Sequence, residues 1–238
     1  MKHALVTGGS RGLGRALVEE LLQRGYRVDV IDVLPFEPAQ AVTLHELDLA
    51  RFDPASIADL PCYDLLICNA GITAVGDFKN MPAATDLEVL SVNTIGHMNL
   101  VKQLLRFDKL EAGGRVAFTN SASVYVPWPV AIAYATSKAA LDGFALALES
   151  YLTGRGISVT RVFPGAMQTE HGGYAKETGA KVGVLPERVA PRIIRGILRR
   201  RRRVFPDLMG RMLSAACSVF PMTMSRLIYR KLDLDAGG

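Results

Sequence analysis

Tyr134 and Lys138 stand four residues apart, the spacing that places two side chains on one face of a helix. An ammonium group near a phenol stabilises the phenolate and lowers a tyrosine pKa from about 10 toward working pH. A tyrosine tuned in this way gives a proton to a nascent alkoxide or takes one from an alcohol. A Tyr–Lys pair at this spacing also arises by chance, so it needs company. Ser121 supplies some, thirteen residues upstream and just past the apolar run Val116, Ala117, Phe118. A hydroxyl at the end of such a strand can hydrogen-bond a substrate oxygen and stabilise its developing charge. Ser123 is the alternative if the register slips by two.

A second constellation lies at the N-terminus. The run Thr7, Gly8, Gly9, Ser10, Arg11, Gly12, Leu13, Gly14 follows an apolar strand pattern and precedes a helical one. Glycines there permit a tight turn and a close approach of backbone to a pyrophosphate, which the N–H groups of the following helix attract. A glycine triplet alone says little; between the first strand and first helix of a βαβ unit it points to a dinucleotide. Asp32 ends the next strand, eighteen residues beyond Gly14. A carboxylate there accepts from both adenosine ribose hydroxyls and repels a 2′-phosphate, which favours NAD(H) over NADP(H). Arg11 pulls the other way, since a guanidinium in the loop can reach such a phosphate, or it is simply a solvated side chain.

These residues need a scaffold that brings strand ends together. Strand patterns fall at 3–7, 27–31, 42–47, 64–68, 115–120 and 158–163, with longer helical patterns between several of them. That alternation predicts an α/β fold with a doubly wound parallel sheet. The link between the second and fourth strands is short and rich in Pro and Asp, so helices there are expected to shrink to turns. Residues 166–185 are Gly-rich and read as a lid over the site, with Val182, Val184 and Leu185 suggesting a hydrophobic substrate. A helix is expected from Pro186, and a last strand at Val204 and Phe205.

The 238 residues, 49% hydrophobic, suffice for one well-buried core and one domain. We expect a catalytic domain over 1–206, including the lid, and a C-terminal helical tail over 207–238. Cys62, Cys68 and Cys217 form no CxxC pair and have no nearby His, so neither a disulfide framework nor a metal site is expected. Met1-Lys2-His3 leads straight into the first strand pattern, which reads as cytoplasmic.

At this point the chain resembles the short-chain dehydrogenase/reductase family in its single-domain form of about 250 residues, built on a Rossmann fold. The resemblance rests on the Thr7–Gly14 loop, Asp48, Asn69-Ala70-Gly71, Asn93, Ser121, the Tyr134/Lys138 pair and the run from Pro164-Gly165 to Thr169, in family order. It implies an NAD(P)-dependent oxidoreductase moving a hydride between nicotinamide and an alcohol or ketone carbon. Tyr134 would be the acid/base, and Lys138 would bind the nicotinamide ribose and tune Tyr134. Ser121 would orient the carbonyl oxygen, and Asn93 would anchor a water linking Lys138 to solvent. Asp48, with Leu49, would contact adenine. Asn69, Ala70 and Gly71 would shape the cleft floor, and Thr169 would hold the carboxamide. The family also implies homo-dimers or homo-tetramers, formed through helices around residues 82–106 and 134–153. A non-catalytic dinucleotide-binding sensor or scaffold is the alternative, against which the intact Ser121, Tyr134 and Lys138 argue.

The charge is uneven. Residues 192–231 hold eleven Lys and Arg and one acid, Asp207, giving +10 within a chain of net +5 and leaving −5 for the rest. That balance argues against a nucleic-acid-binding surface on the main domain. For 192–232 three readings stand open: a helix packed on the body, a pocket cover or oligomer contact, and a peripheral membrane contact. The charge-free stretch from Met212 to Ser225 is fourteen residues, broken by Pro221, and too short for a bilayer core of about 30 Å.

Overall fold

The computed structural model describes residues 1–36, 41–126, 128–168 and 183–231. Among these residues seven parallel strands form one sheet in the order β3-β2-β1-β4-β5-β6-β7. They are β1 (His3–Thr7), β2 (Arg27–Asp32), β3 (Val42–Glu46), β4 (Tyr63–Cys68), β5 (Leu110–Thr119), β6 (Ser158–Val162) and β7 (Arg203–Val204). The helices are α1 (Gly12–Gln23), α2 (Ala83–Leu90), α3 (His97–Arg106), α4 (Ile132–Leu152), α5 (Pro186–Leu198), α6 (Leu208–Val219) and α7 (Pro221–Lys231). This is the doubly wound Rossmann arrangement, with its reversal of strand order between β1 and β4.

Both faces of the sheet are covered, which is why its strands are apolar without interruption. Side chains alternate along each strand. Ala4, Val6, Leu65 and Ile67 point into a core shared with α1 and α5. Leu5, Leu66, Cys68, Val116 and Phe118 point into the opposite core, built with α3 and α4.

Between β3 and β4 the only helical structure among the described residues is the short 3₁₀ turn Pro54–Ile57, capped by Asp53. This fits the trimming expected from the Pro and Asp content. β5 starts five residues before the expected Arg115, because Gly113 and Gly114 continue the strand through a register shift opposite Tyr63 and Leu65 instead of breaking it. Gly113 has φ +72°, a conformation side chains resist. The last strand is Arg203–Val204, one residue earlier than expected.

Candidate active site

Every candidate residue of the first two constellations lies at one edge of the sheet, where parallel strands end. After β1 the chain turns sharply at Gly8, φ +65°, and a Cβ there would stand 2.7 Å from the Ala70 Cα. A Cβ on Gly14 would collide with the Gly8 carbonyl. The turn between β1 and α1 therefore closes only with glycine at both positions. Arg11 occupies the N-cap position of α1 with no side-chain cap bond, and the helix has no acid in its first turn. Unclaimed N–H groups at a helix start, in contact distance of the β4 end, suit a pyrophosphate.

Asp32 ends β2 and accepts from two backbone N–H groups, Ser10 at 2.9 Å and Leu34 at 3.1 Å. It fixes the loop before any ligand is considered, and its carboxylate retains lone pairs for ribose hydroxyls. Asp48 folds back on Ala50 N at 2.9 Å and is otherwise exposed, whereas the Leu49 side chain lies in the core. Contact of Leu49 with a ligand would therefore run through its backbone.

Asn69 and Ala70 donate their N–H groups to Thr7 Oγ1 at 2.9 and 3.0 Å. Asn69 Nδ2 reaches the carbonyls of Thr7 and Gly8, both at 3.2 Å. The β4 end is thus laced to the glycine turn. A Cβ on Gly71 would lie 3.1 Å from Asn93 Oδ1 and 3.3 Å from Lys138 Nζ, so these three converge on one spot.

Asn93 sits in a π-helical stretch, Ser91–Gly96, joining α2 to α3; such bulges recur at functional sites. Its amide is fully engaged: Oδ1 accepts from Ile72 N at 2.8 Å, and Nδ2 donates to Ile72 O and Ser137 Oγ, both at 2.9 Å. Thr94 Oγ1 adds a bond to Ser137 O. These contacts set the rotation of α4, whose buried face carries Ser137 and Lys138.

The Ser121 side chain stands close enough to the Tyr134 hydroxyl to influence its ionisation. Ser121 Oγ also accepts from Ser123 N at 3.1 Å, while the Ser123 hydroxyl is buried with no partner among the described residues. Of the two serines, Ser121 is the one placed beside the Tyr134 hydroxyl. Lys138 is 3% exposed and donates from Nζ to Thr119 O at 2.9 Å. Burial lowers its pKa to about 8, partly countered by Cys68. For Tyr134 the expected direction is reversed. Burial raises its hydroxyl above the ordinary 10, and the neighbouring Ser121 side chain offsets this only in part. The Lys138 ammonium lies 5.8 Å from the centroid of the Tyr134 ring and bonds to Thr119, so it does not bring the phenol down.

Two residues beyond the sequence-level set complete the site. His97, fully buried, bridges Thr7 Oγ1 at 3.0 Å through Nε2 and the Asn93 carbonyl at 3.1 Å through Nδ1. The carbonyl can only accept, so Nδ1 carries the proton. Thr7 Oγ1, already taking two N–H groups, must donate to Nε2. Burial and Lys138 hold the His97 pKa down at about 4, so the ring is neutral at pH 7. Its position four residues after Asn93 was the available signal. The second is Asp207, which accepts from Gly165 N at 2.9 Å and also caps α6 through Gly210 N. Pro164 O takes the Ala122 N–H at 2.9 Å, joining the ends of β5 and β6.

Thr169 and Val182 lie outside the described residues. The two ends of the expected lid meet: Met167 pairs with Val184, and Gln168 N donates to Val184 O at 3.2 Å. Val184 packs against the core, so it makes a structural contribution there and is weak evidence for an apolar substrate. Among the described residues no three His, Cys, Asp or Glu gather as metal ligands.

The family model for short chain dehydrogenases matches residues 2–179. The chain belongs to that family. It is 31% identical to a dehydrogenase/reductase SDR family protein 7-like of Drosophila melanogaster, covering 84% of this chain and 70% of that protein. It is 32% identical to the 3-oxoacyl-[acyl-carrier-protein] reductase FabG of Escherichia coli, covering 71% and 75%. A short chain dehydrogenase from Burkholderia cenocepacia, solved with NADP, superposes with a TM-score of 0.78 at 21% identity, over 98% of this chain and 99% of that one. That likeness concerns the fold.

Proposed function

We propose that this member of an oxidoreductase family interconverts a ketone and an alcohol with NAD(P)(H), and that Tyr134 handles the proton. The observation that carries the reading is the placing of the Tyr134 hydroxyl beside the Ser121 side chain at the end of β5, next to the spot where Gly71, Asn93 and Lys138 converge. When bound, the dinucleotide supplies or accepts the hydride. Gly8, Ser10, Arg11, Gly12, Leu13 and Gly14 would hold its pyrophosphate, Asp32 its adenosine ribose, and Lys138 its second ribose. Asn69, Ala70, Gly71, Pro164 and Gly165 would border it.

In the reducing direction, Ser121 donates a hydrogen bond to the carbonyl oxygen and Tyr134 gives it a proton as negative charge develops. The raised pKa of Tyr134 keeps the hydroxyl protonated at neutral pH, which suits a donor. In the oxidising direction Tyr134 takes the alcohol proton. The acceptor in that direction is the Tyr134 phenolate, which returns to the neutral phenol, while Lys138, buried, bonded to Thr119 O and cationic below about pH 8, would hold the nicotinamide ribose. Asn93 holds Ile72 and Ser137 in place, and its backbone carbonyl accepts from His97.

Asp32 supports NAD(H) over NADP(H). A small substrate and a homo-oligomer complete the proposal; the latter draws support from exposed Leu87, Ile95, Leu146 and Tyr151 in the segments expected to pair subunits. The test is a panel of ketones assayed with NADH and NADPH on wild type and Tyr134→Phe. Turnover is expected to fall by about 10²–10⁴-fold in the variant, with dinucleotide affinity retained. A variant that turned over at the wild-type rate would overturn the role of Tyr134.

A further inference from the structure

The C-terminal helices leave a row of large apolar side chains on the outside. Along α6 the buried residues are the small Gly210, Ser214 and Cys217. The large apolar ones, Leu208, Met212 and Val219, form a row at spacings of four and seven on the opposite, exposed side. Met209, Phe220 and Met222 continue it, and these six side chains are 62–75% exposed. On α7, Met222, Arg226 and Arg230 follow at intervals of four on the exposed side, with Leu227 beside them. Both helices turn their inner faces, Leu213, Cys217, Met224 and Ile228, onto one small cluster with Ala122, Val126 and Trp128. Their outer faces therefore look away from the domain together.

The charge on that outer face has one sign. From Leu208 to Lys231 the sequence contains three arginines and a lysine and no acid. Arg211, Arg226 and Arg230 are exposed and pair with no carboxylate among the described residues. The other arginine cluster, Arg199 to Arg203, is elsewhere. Arg200 donates to Gly113 O and Gly156 O near the starts of β5 and β6, and Arg202 pairs with Glu149. The basic stretch seen in the sequence is thus two separate surfaces, and only one carries the apolar row.

We propose that the outer face of α6 and α7 docks on an anionic lipid bilayer, with the apolar row at the headgroup–acyl boundary and Arg211, Arg226 and Arg230 among the phosphates. Charge chooses this occupant over a second copy of the chain: a two-fold contact would set an acid-free face against itself, arginine facing arginine. No helix among the described residues is long and apolar enough to cross a membrane, so the contact is at the surface. Because the pair packs on Ala122 and Val126, docking holds the Ser121 side of the domain at the lipid interface. The inference does not depend on the proposed reaction.

The experiment is co-sedimentation of the full chain with vesicles of phosphatidylcholine alone or mixed with phosphatidylserine. Variants are Met209→Glu with Met212→Glu, and Arg211→Glu with Arg226→Glu and Arg230→Glu. All five side chains replaced are exposed, so circular dichroism is expected to match wild type. Binding is expected with the anionic vesicles and little with the neutral ones. The triple charge reversal should weaken it by on the order of 100-fold, and the Met variant should abolish it. Sedimentation velocity of the same proteins should show an unchanged oligomeric state. Equal pelleting of wild type and both variants, or none with anionic lipid, overturns the proposal. So does a loss of self-association in the Met variant, which would assign the face to a second copy.

Discussion

Thr7, His97 and Asn93 join the glycine turn to the neighbourhood of Lys138 through one neutral imidazole. Its pKa of about 4 lies below the ordinary 6.5. Between those values the unfolded chain binds a proton that the folded chain refuses, so stability rises with pH across that window and is lost on acidification. The effect is roughly 3 kcal/mol in all. Urea denaturation at a series of pH values is expected to show this slope in wild type and a slope shallower by about one proton in His97→Gln. Equal slopes would mean that the ring is protonated in the fold. Asp29 acts in a lower window. Burial raises its pKa, but bonds from His45, His3 and Tyr63 outweigh that and hold it below the ordinary 3.8. Its contribution is present above 3.8 and fades only as pH falls through the lower folded value.

At the scale of elements, α4 brings its chemistry to the sheet through a second lock. Asp142, two turns beyond Tyr134, accepts from Arg161 on β6 at 3.0 Å and from Asn120 beside Ser121 at 2.8 Å. Both charged side chains are largely buried, at 16% and 6% exposure. Removing one partner strands the other, so Asp142→Ala is expected to cost about 3 kcal/mol, measured as a lowered urea midpoint; no change would show that Arg161 finds water. Such locks explain what could be read in the sequence. The strand–glycine–helix unit and the Ser121, Tyr134, Lys138 spacing are local patterns, and all seven described strands and the helix at Pro186 were legible from periodicity and breakers, with ends differing by a few residues. His97 to Thr7 spans ninety residues and Asp207 to Gly165 spans forty-two. Contacts that long depend on how the sheet is wound, which no local pattern encodes. The direction of the Tyr134 shift was missed for a related reason, since spacing gives proximity to Lys138 but not the burial that outweighs it.

For the whole molecule, the winding of the sheet decides where function can be. Reversal between β1 and β4 opens a crevice at the strand ends, and the glycine turn, Asp32, the Asn69–Gly71 floor and the Ser121–Tyr134 pair all border that edge. The tail leaves the same edge, tied by Asp207 to Gly165, and carries an apolar face away from it. A site of this form is built around a dinucleotide, and the most direct measurement is calorimetric titration of the purified chain with NADH and NADPH, on wild type and Asp32→Asn. The account predicts saturable binding of NADH, weaker binding of NADPH, and a narrowed difference in the variant. Failure of both dinucleotides to bind at about 1 mM, the upper end of ordinary enzyme affinities, would contradict it.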